Sequence, residues 1–139
     1  MKGRVLAIDW GEKRIGLALS DALRMLAKPL QVLASRGPEA DLEALAALVL
    51  EHEVTAVIVG LPVNDDGSMG PMARKVEAFA ATLEARIHPP VILFDEGWSS
   101  VEAEDRLKAQ GLDWRGRRGK VDALAAQVFL QSWLETQPG

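Results

Sequence analysis

Two apolar periods alternate along the chain. RVLAID over 4–9 and RIGLALS over 14–20 are β-rich runs separated by the turn-like WGEK, a pattern that predicts an antiparallel hairpin bending at Gly11. A third strand is expected at 30–34, LQVLA, after Pro29. From Pro38 the period lengthens to that of a helix. Leu42, Leu45, Ala46, Val49 and Leu50 fall on one stripe, and Pro38 and Glu39 are start signals, predicting a helix over 39–52. VTAVIVG, 54–60, is β-branched without alternation, as in a strand covered on both faces. GLPVNDDGSMG then supplies the turn signals of a loop leaving that strand's C-terminal end.

A helix over 71–87 would place Met72, Val76, Phe79, Ala80 and Leu83 together, and VILFDE, 91–96, repeats the buried-strand pattern. Ser99 or Ser100 as N-cap, with Glu102 placed as in a capping box, predicts a helix to Gln110. Gly111, Gly116 and Gly119 lie among basic residues and read as a loop. A last helix over 120–135 would bury Val121, Leu124, Ala125, Val128 and Phe129. The order βββαβαβαα is an antiparallel start followed by two right-handed crossover units. It predicts one α/β domain over 1–139 around a central mixed sheet.

With 139 residues the chain suffices for one core and not for a two-lobed enzyme. The absence of cysteine excludes disulfides, thiolate zinc sites and thiol nucleophiles. The N-terminal apolar run meets Asp9 too soon for a signal peptide or membrane span, so a cytoplasmic protein without membrane association is expected.

Three acids stand where a surface role would not place them. Asp9 ends the first strand, Glu96 follows Asp95 at the end of the last, and Asp122 lies in the first turn of the last helix, beside the stripe Ala125, Ala126, Phe129. Singly, each has a plainer reading: an Asx turn with Gly11, a solvated loop acid, a partner of the helix dipole. Together they point to a site, because functional groups of open α/β sheets gather at the carboxyl ends of strands. If the first and fourth strands are neighbours, Asp9 and Glu96 share one rim, and Asp122 can reach it from the helix. Three clustered carboxylates repel one another unless cations join them, and hard oxygen donors suit Mg²⁺ or Mn²⁺. A pair of such ions serves phosphodiester hydrolysis, chemistry that needs neither His nor Cys. His52, at a helix end, and His88, in a His-Pro-Pro turn, read as surface residues.

The net charge of −4 argues against a nucleic-acid surface only until it is divided. Residues 106–120, RLKAQGLDWRGRRGK, hold six positive side chains against Asp113, a net of +5, which leaves −9 on the other 124 residues. The basic run containing Arg115, Arg117, Arg118 and Lys120 immediately precedes Asp122, so phosphate contacts would lie beside the metal site. Trp10 and Trp98 closely follow Asp9 and Glu96. Core packing is expected for Trp10, while for Trp98 packing and base stacking stand level.

AIDWGEKRIGLALSD, VGLPVNDDGS, FDEGWSSVEAE and GKVDALAAQVFLQSW together resemble the YqgF (RuvX) family, over nearly the whole chain. The resemblance implies an RNase H-like fold with strand order 3-2-1-4-5 and a divalent-metal site formed by Asp9, Glu96 and Asp122. It also implies a nuclease that matures the 5′ end of precursor 16S rRNA, with activity on branched DNA, as in Holliday-junction resolvases, in some members. Lys13 and Arg14 in the first block join the basic run as expected nucleic-acid contacts. Where the family has Asp-Glu-Arg this chain has Asp95-Glu96-Gly97, so a bidentate phosphate ligand is missing, and Asp65 replaces an apolar residue. That loss keeps open a non-catalytic ribosome-assembly factor. A sugar-kinase-like nucleotide site, which Asp9-Trp10-Gly11 and the GLP loop resemble, is excluded by length. Either a monomer or a homodimer is compatible with the sequence.

Overall fold

The structure is a computed structural model, and it describes residues 3–62, 68–95 and 118–137. Five strands, β1 (Arg4–Asp9), β2 (Arg14–Ser20), β3 (Ala27–Ala34), β4 (Val54–Leu61) and β5 (Val91–Asp95), form one sheet in the order β3-β2-β1-β4-β5. β1–β2 and β2–β3 pair antiparallel, β1–β4 and β4–β5 parallel. The expected RNase H-like mixed sheet is therefore present. Three helices accompany it: α1 (Pro38–Glu51), α2 (Pro71–Glu84) and α3 (Arg118–Thr136). The helix expected over 99–110 lies outside the described residues.

Side-chain alternation along the strands divides the core in two. Leu6, Ile8, Ile15, Leu17, Val57 and Val59 pack with Leu42, Leu45 and Val49 of α1 and Val76, Ala80 and Leu83 of α2. On the other face Val5, Ala7, Ala18, Ala56 and Ile58 pack under Ala126, Phe129, Leu130, Trp133 and Leu134 of α3. Both faces are covered, which accounts for the unbroken apolar runs of β1 and β4.

Several boundaries and faces differ from expectation for local reasons. β3 begins at Ala27 rather than 30 and includes Pro29. It is an edge strand, and the register slips between Leu17, opposite Gln31, and Ala18, opposite Pro29, so the missing N–H interrupts no central ladder. Leu50, expected on the buried stripe of α1, is exposed, because the stripe runs Leu42, Leu45, Val49 and the next position turns about 100° away. On α2, Ala73 rather than Met72 faces the sheet, and the helix ends at Glu84, not 87. α3 starts at Arg118, so Arg118, Gly119 and Lys120 belong to a first helical turn and not to a loop. Glycine is tolerated there because first-turn N–H groups have no intrahelical partner in any case. The buried residues of α3 extend beyond those expected to Ala126, Leu130, Trp133 and Leu134, while Leu124 is only half-buried.

Candidate active site at the strand-end rim

The parallel pairing sets one end of the sheet. Ile8 lies beside Val59 and Val59 beside Leu93, so β1, β4 and β5 deliver their C-terminal ends to a common rim. Asp9, half-buried, is the last residue of β1 and stands opposite Gly16 of β2. It continues the Val5–Ala7 row, the row on the face covered by α3. Asp95, the last residue of β5, pairs with Leu61 two residues after the Val59–Leu93 row. Glu96 is the next residue and lies outside the described residues.

α3 is set along its axis by two amides. Gln131 accepts from the Ala27 N–H (2.9 Å) and donates to the Met25 carbonyl (3.1 Å), and Gln127 donates to the Ala27 carbonyl (3.0 Å). Met25 precedes β3, and β3 runs from Ala27 toward the rim. The N-terminal turns of α3 therefore point to the Asp9 end of the sheet. Position 122 lies nine residues before Gln131, about 13 Å along the axis at 1.5 Å per residue. The side chain of Asp122, like those of Arg118 and Lys120, lies outside the described residues, as do Arg115 and Arg117. Among the described residues no three Asp, Glu, His or Cys side chains group as metal ligands, since two of the three expected carboxylates are not among them.

Lys13 and Arg14 are exposed at the β1–β2 turn, on the same rim as Asp9. Gly11 shapes that turn through proximity: a Cβ there would lie 2.7 Å from the Arg14 carbonyl oxygen. Glu12 forms an ion pair with Lys75 of α2, and this hydrogen bond and charge hold the Glu12 carboxyl below its ordinary range. Trp10 is half-buried and stacks on Phe79, with centroids 5.7 Å apart and planes at 28°, on the α1–α2 face. Consecutive residues thus turn to opposite faces: Asp9 toward α3, Trp10 toward α2. His52 closes α1, and Val54 just beyond it pairs with Arg4, so this histidine lies at the far end from Asp9. His88, in the turn before β5, lies at the same far end.

Asp41 was not among the acids that the sequence singled out. It is 7% exposed, and it accepts from the Arg36 N–H and the Ser35 hydroxyl, tying the β3–α1 turn to the helix it precedes. Its one signal in the sequence is an acid in a first helical turn, which is common at helix starts.

The chain matches the family described as RuvX, Holliday junction resolvase, over residues 3–136. It belongs to that family. A relative from Anaeromyxobacter dehalogenans (strain 2CP-C), named as a pre-16S rRNA nuclease, is 48% identical over 132 residues, covering 95% of this chain and 96% of its own. One of the same name from Halothermothrix orenii is 40% identical over 134 residues, covering 96% of each. Among solved structures, T. thermophilus RuvC in complex with a Holliday junction substrate shares the fold with a TM-score of 0.62 at 17% identity over 96% of both chains. The Fowlpox virus resolvase bound to Holliday junction DNA does so at 0.59 and 13%, over 96% of this chain and 97% of that one. Family membership accounts for the strand order. Among the described residues no helix is long and apolar enough to cross a membrane.

Proposed function

We propose that the chain is a divalent-metal-dependent endonuclease that hydrolyses phosphodiester bonds at the 5′ end of precursor 16S rRNA. Asp9, Glu96 and Asp122 are its catalytic, metal-holding carboxylates. The observation that carries this reading is the rim. Asp9 ends β1 at the rim to which β4 and β5 also bring their C-terminal ends, Glu96 follows β5 in the sequence, and α3 runs its N-terminal turns toward that rim. The family description and the names of the relatives support the same chemistry.

The donor set fits Mg²⁺ or Mn²⁺. All three residues offer hard carboxylate oxygens, there is no cysteine, and His52 and His88 lie at the far end of the sheet. A bound pair of such ions would activate water and stabilise the departing oxygen. The chain's own residues supply the rest. The β1–β2 pairing holds Asp9 in place, the Gln127 and Gln131 amides set the axial position of α3, and both core faces keep the rim from shearing. Lys13, Arg14, Arg115, Arg117, Arg118 and Lys120 hold the phosphate backbone, with Arg115, Arg117 or Arg118 taking the part of the arginine replaced by Gly97. The unit is one nuclease domain over 1–139, and its compartment is the cytoplasm.

A second reading, resolution of branched DNA, is favoured by the family's description. It predicts a homodimer, since a symmetric junction is cut in two strands, whereas trimming of RNA needs only a monomer. A cleavage time course with Mg²⁺ or Mn²⁺ on a precursor rRNA fragment and on a four-way junction, with solution mass measured in parallel, separates them. Asp9→Asn abolishes cleavage of the true substrate. Equal cleavage by wild type and variant overturns the nuclease, and binding of RNA without any cleavage returns the chain to a non-catalytic assembly factor.

A further inference from the structure

The sheet face opposite the Asp9 side chain carries a cavity that hydrolysis leaves unused. Its volume is 550 Å³, and its wall includes Trp10, Glu12, Ser35, Asp41, Phe79 and Thr82. That volume lies within the roughly 300–1,000 Å³ of small-ligand pockets. Trp10 is the residue after Asp9, and neighbouring Cα atoms are about 3.8 Å apart, so the cavity lies within a nucleotide or two of the rim.

The wall mixes a donor with acceptors: the Trp10 indole offers its N–H, and Glu12 is already ion-paired with Lys75. Asp41 and Glu12 are carboxylates. The Ser35 hydroxyl gives its proton to Asp41 and that of Thr82 gives its own to the Ala78 carbonyl, leaving oxygen lone pairs as what they offer. Beneath these groups the Trp10–Phe79 stack forms an aromatic floor. Cations stand beside it. Exposed Lys13 accepts the Ser35 N–H at its carbonyl (2.9 Å), and exposed Arg36 lies between Ser35 and Gly37.

The geometry points to an unpaired nucleobase as the occupant, lying against the Trp10–Phe79 floor and taken from a single-stranded stretch of substrate beside the scissile bond. The assignment rests on the nucleic-acid reading above. It places the specificity of a nuclease whose metal site reads no sequence in a pocket on the other face of the same strand.

The test is an abasic scan. Single abasic sites are walked along a single-stranded RNA oligonucleotide, and binding to the Asp9→Asn protein is read by fluorescence anisotropy. One position is expected to weaken binding by roughly 5- to 150-fold, the stacking contribution of one base. Adding Thr82→Phe, which fills the cavity from an exposed position of α2, flattens the profile. A flat scan with tight binding overturns the pocket, as does a scan whose step survives Thr82→Phe. Wild-type cleavage of the unmodified substrate is measured alongside. Intact cleavage with a flat scan removes the pocket alone, and failure to bind any oligonucleotide removes both proposals.

Discussion

Gly11→Ala tests the link between the β1–β2 turn and the rim. The added methyl group would meet the Arg14 carbonyl oxygen at 2.7 Å, where ordinary contact begins at 3.4 Å. The obstacle is backbone of the same turn, so no side chain can swing aside, and the turn opens by about 0.7 Å. Overpacking of this kind costs about 1–3 kcal/mol, and stiffening of the unfolded chain returns about 0.4–1 kcal/mol. The net loss is about 0.5–2 kcal/mol, or a fall in Tm of about 2–8 °C for a chain of this size. Activity falls further than stability. Asp9 is two residues from Gly11, and a misplacement near 1 Å costs about 100-fold in rate, so kcat/KM is expected to drop roughly 10- to 100-fold. Urea unfolding and cleavage of the established substrate at saturating Mg²⁺ measure the two effects. Gly3→Ala is the control. Its Cβ would meet the Thr55 hydroxyl at 2.4 Å at a φ of +89°, so it destabilises the far end of β1 and lowers activity only by the unfolded fraction. Full cleavage by Gly11→Ala, or a loss explained by its unfolded fraction, refutes the reasoning.

Phe129, fully buried on the sheet-facing side of α3 and tilted against Phe94 at 6.4 Å, should cost about 3–5 kcal/mol on truncation to alanine, read as the shift in urea midpoint. A loss below about 1 kcal/mol contradicts the packing of α3 on the sheet. Asp21 accepts the Leu26 and Met25 N–H groups, the Leu26 bond first, and so titrates below the ordinary aspartate range. Its contribution is present above that range and lost as pH falls through the lowered value. Met25 and Leu26 amides should lose hydrogen-exchange protection in that acid window, and in Asp21→Ala at every pH, while unchanged protection in Asp21→Ala would exclude the bond. Reversing Arg117 and Arg118 to Glu should weaken substrate binding and flatten its dependence on log salt by about 0.7–0.9 for each phosphate no longer neutralised, and an unchanged slope would return that segment to solvent.

What was legible in the sequence followed from short-range chemistry. The hairpin bounds of β1 and β2 emerged to the residue because two short β-rich runs flank a compact turn. β4, covered on both faces, was evident from an unbroken β-branched run, whereas β5, expected to be as buried, is an edge strand that leaves Leu93 exposed, because an apolar run does not say whether a further strand or helix covers it. Helix faces were less secure. Met72 and Leu50 satisfy the helical period yet face solvent, because two residues one position apart can both fit a broad stripe and only the opposing surface selects between them. Pro29 marked a strand start in sequence and an interior position in the structure, since the cost of a missing N–H depends on whether a neighbour strand wants it. For the site, Asp9 was recognisable as an acid closing an apolar run. Asp41 was not, because its partners are a turn that only the fold brings back to the helix start.

By itself, then, the sequence determined the elements, the candidate acids and the segregation of +5 onto fifteen residues, because apolar period, turn residues and charge are local properties. The tertiary structure alone decided which strand ends share a rim and on which face each side chain of that rim stands. Parallel pairing of β1 with β4 and of β4 with β5, separated in sequence by whole helices, puts Asp9 level with the end of β5. The two-residue pleat then turns Asp9 toward α3, while Trp10 beyond the strand end packs toward α2. One short stretch of sequence thereby supplies the rim carboxylate on one face and part of an aromatic cavity on the other.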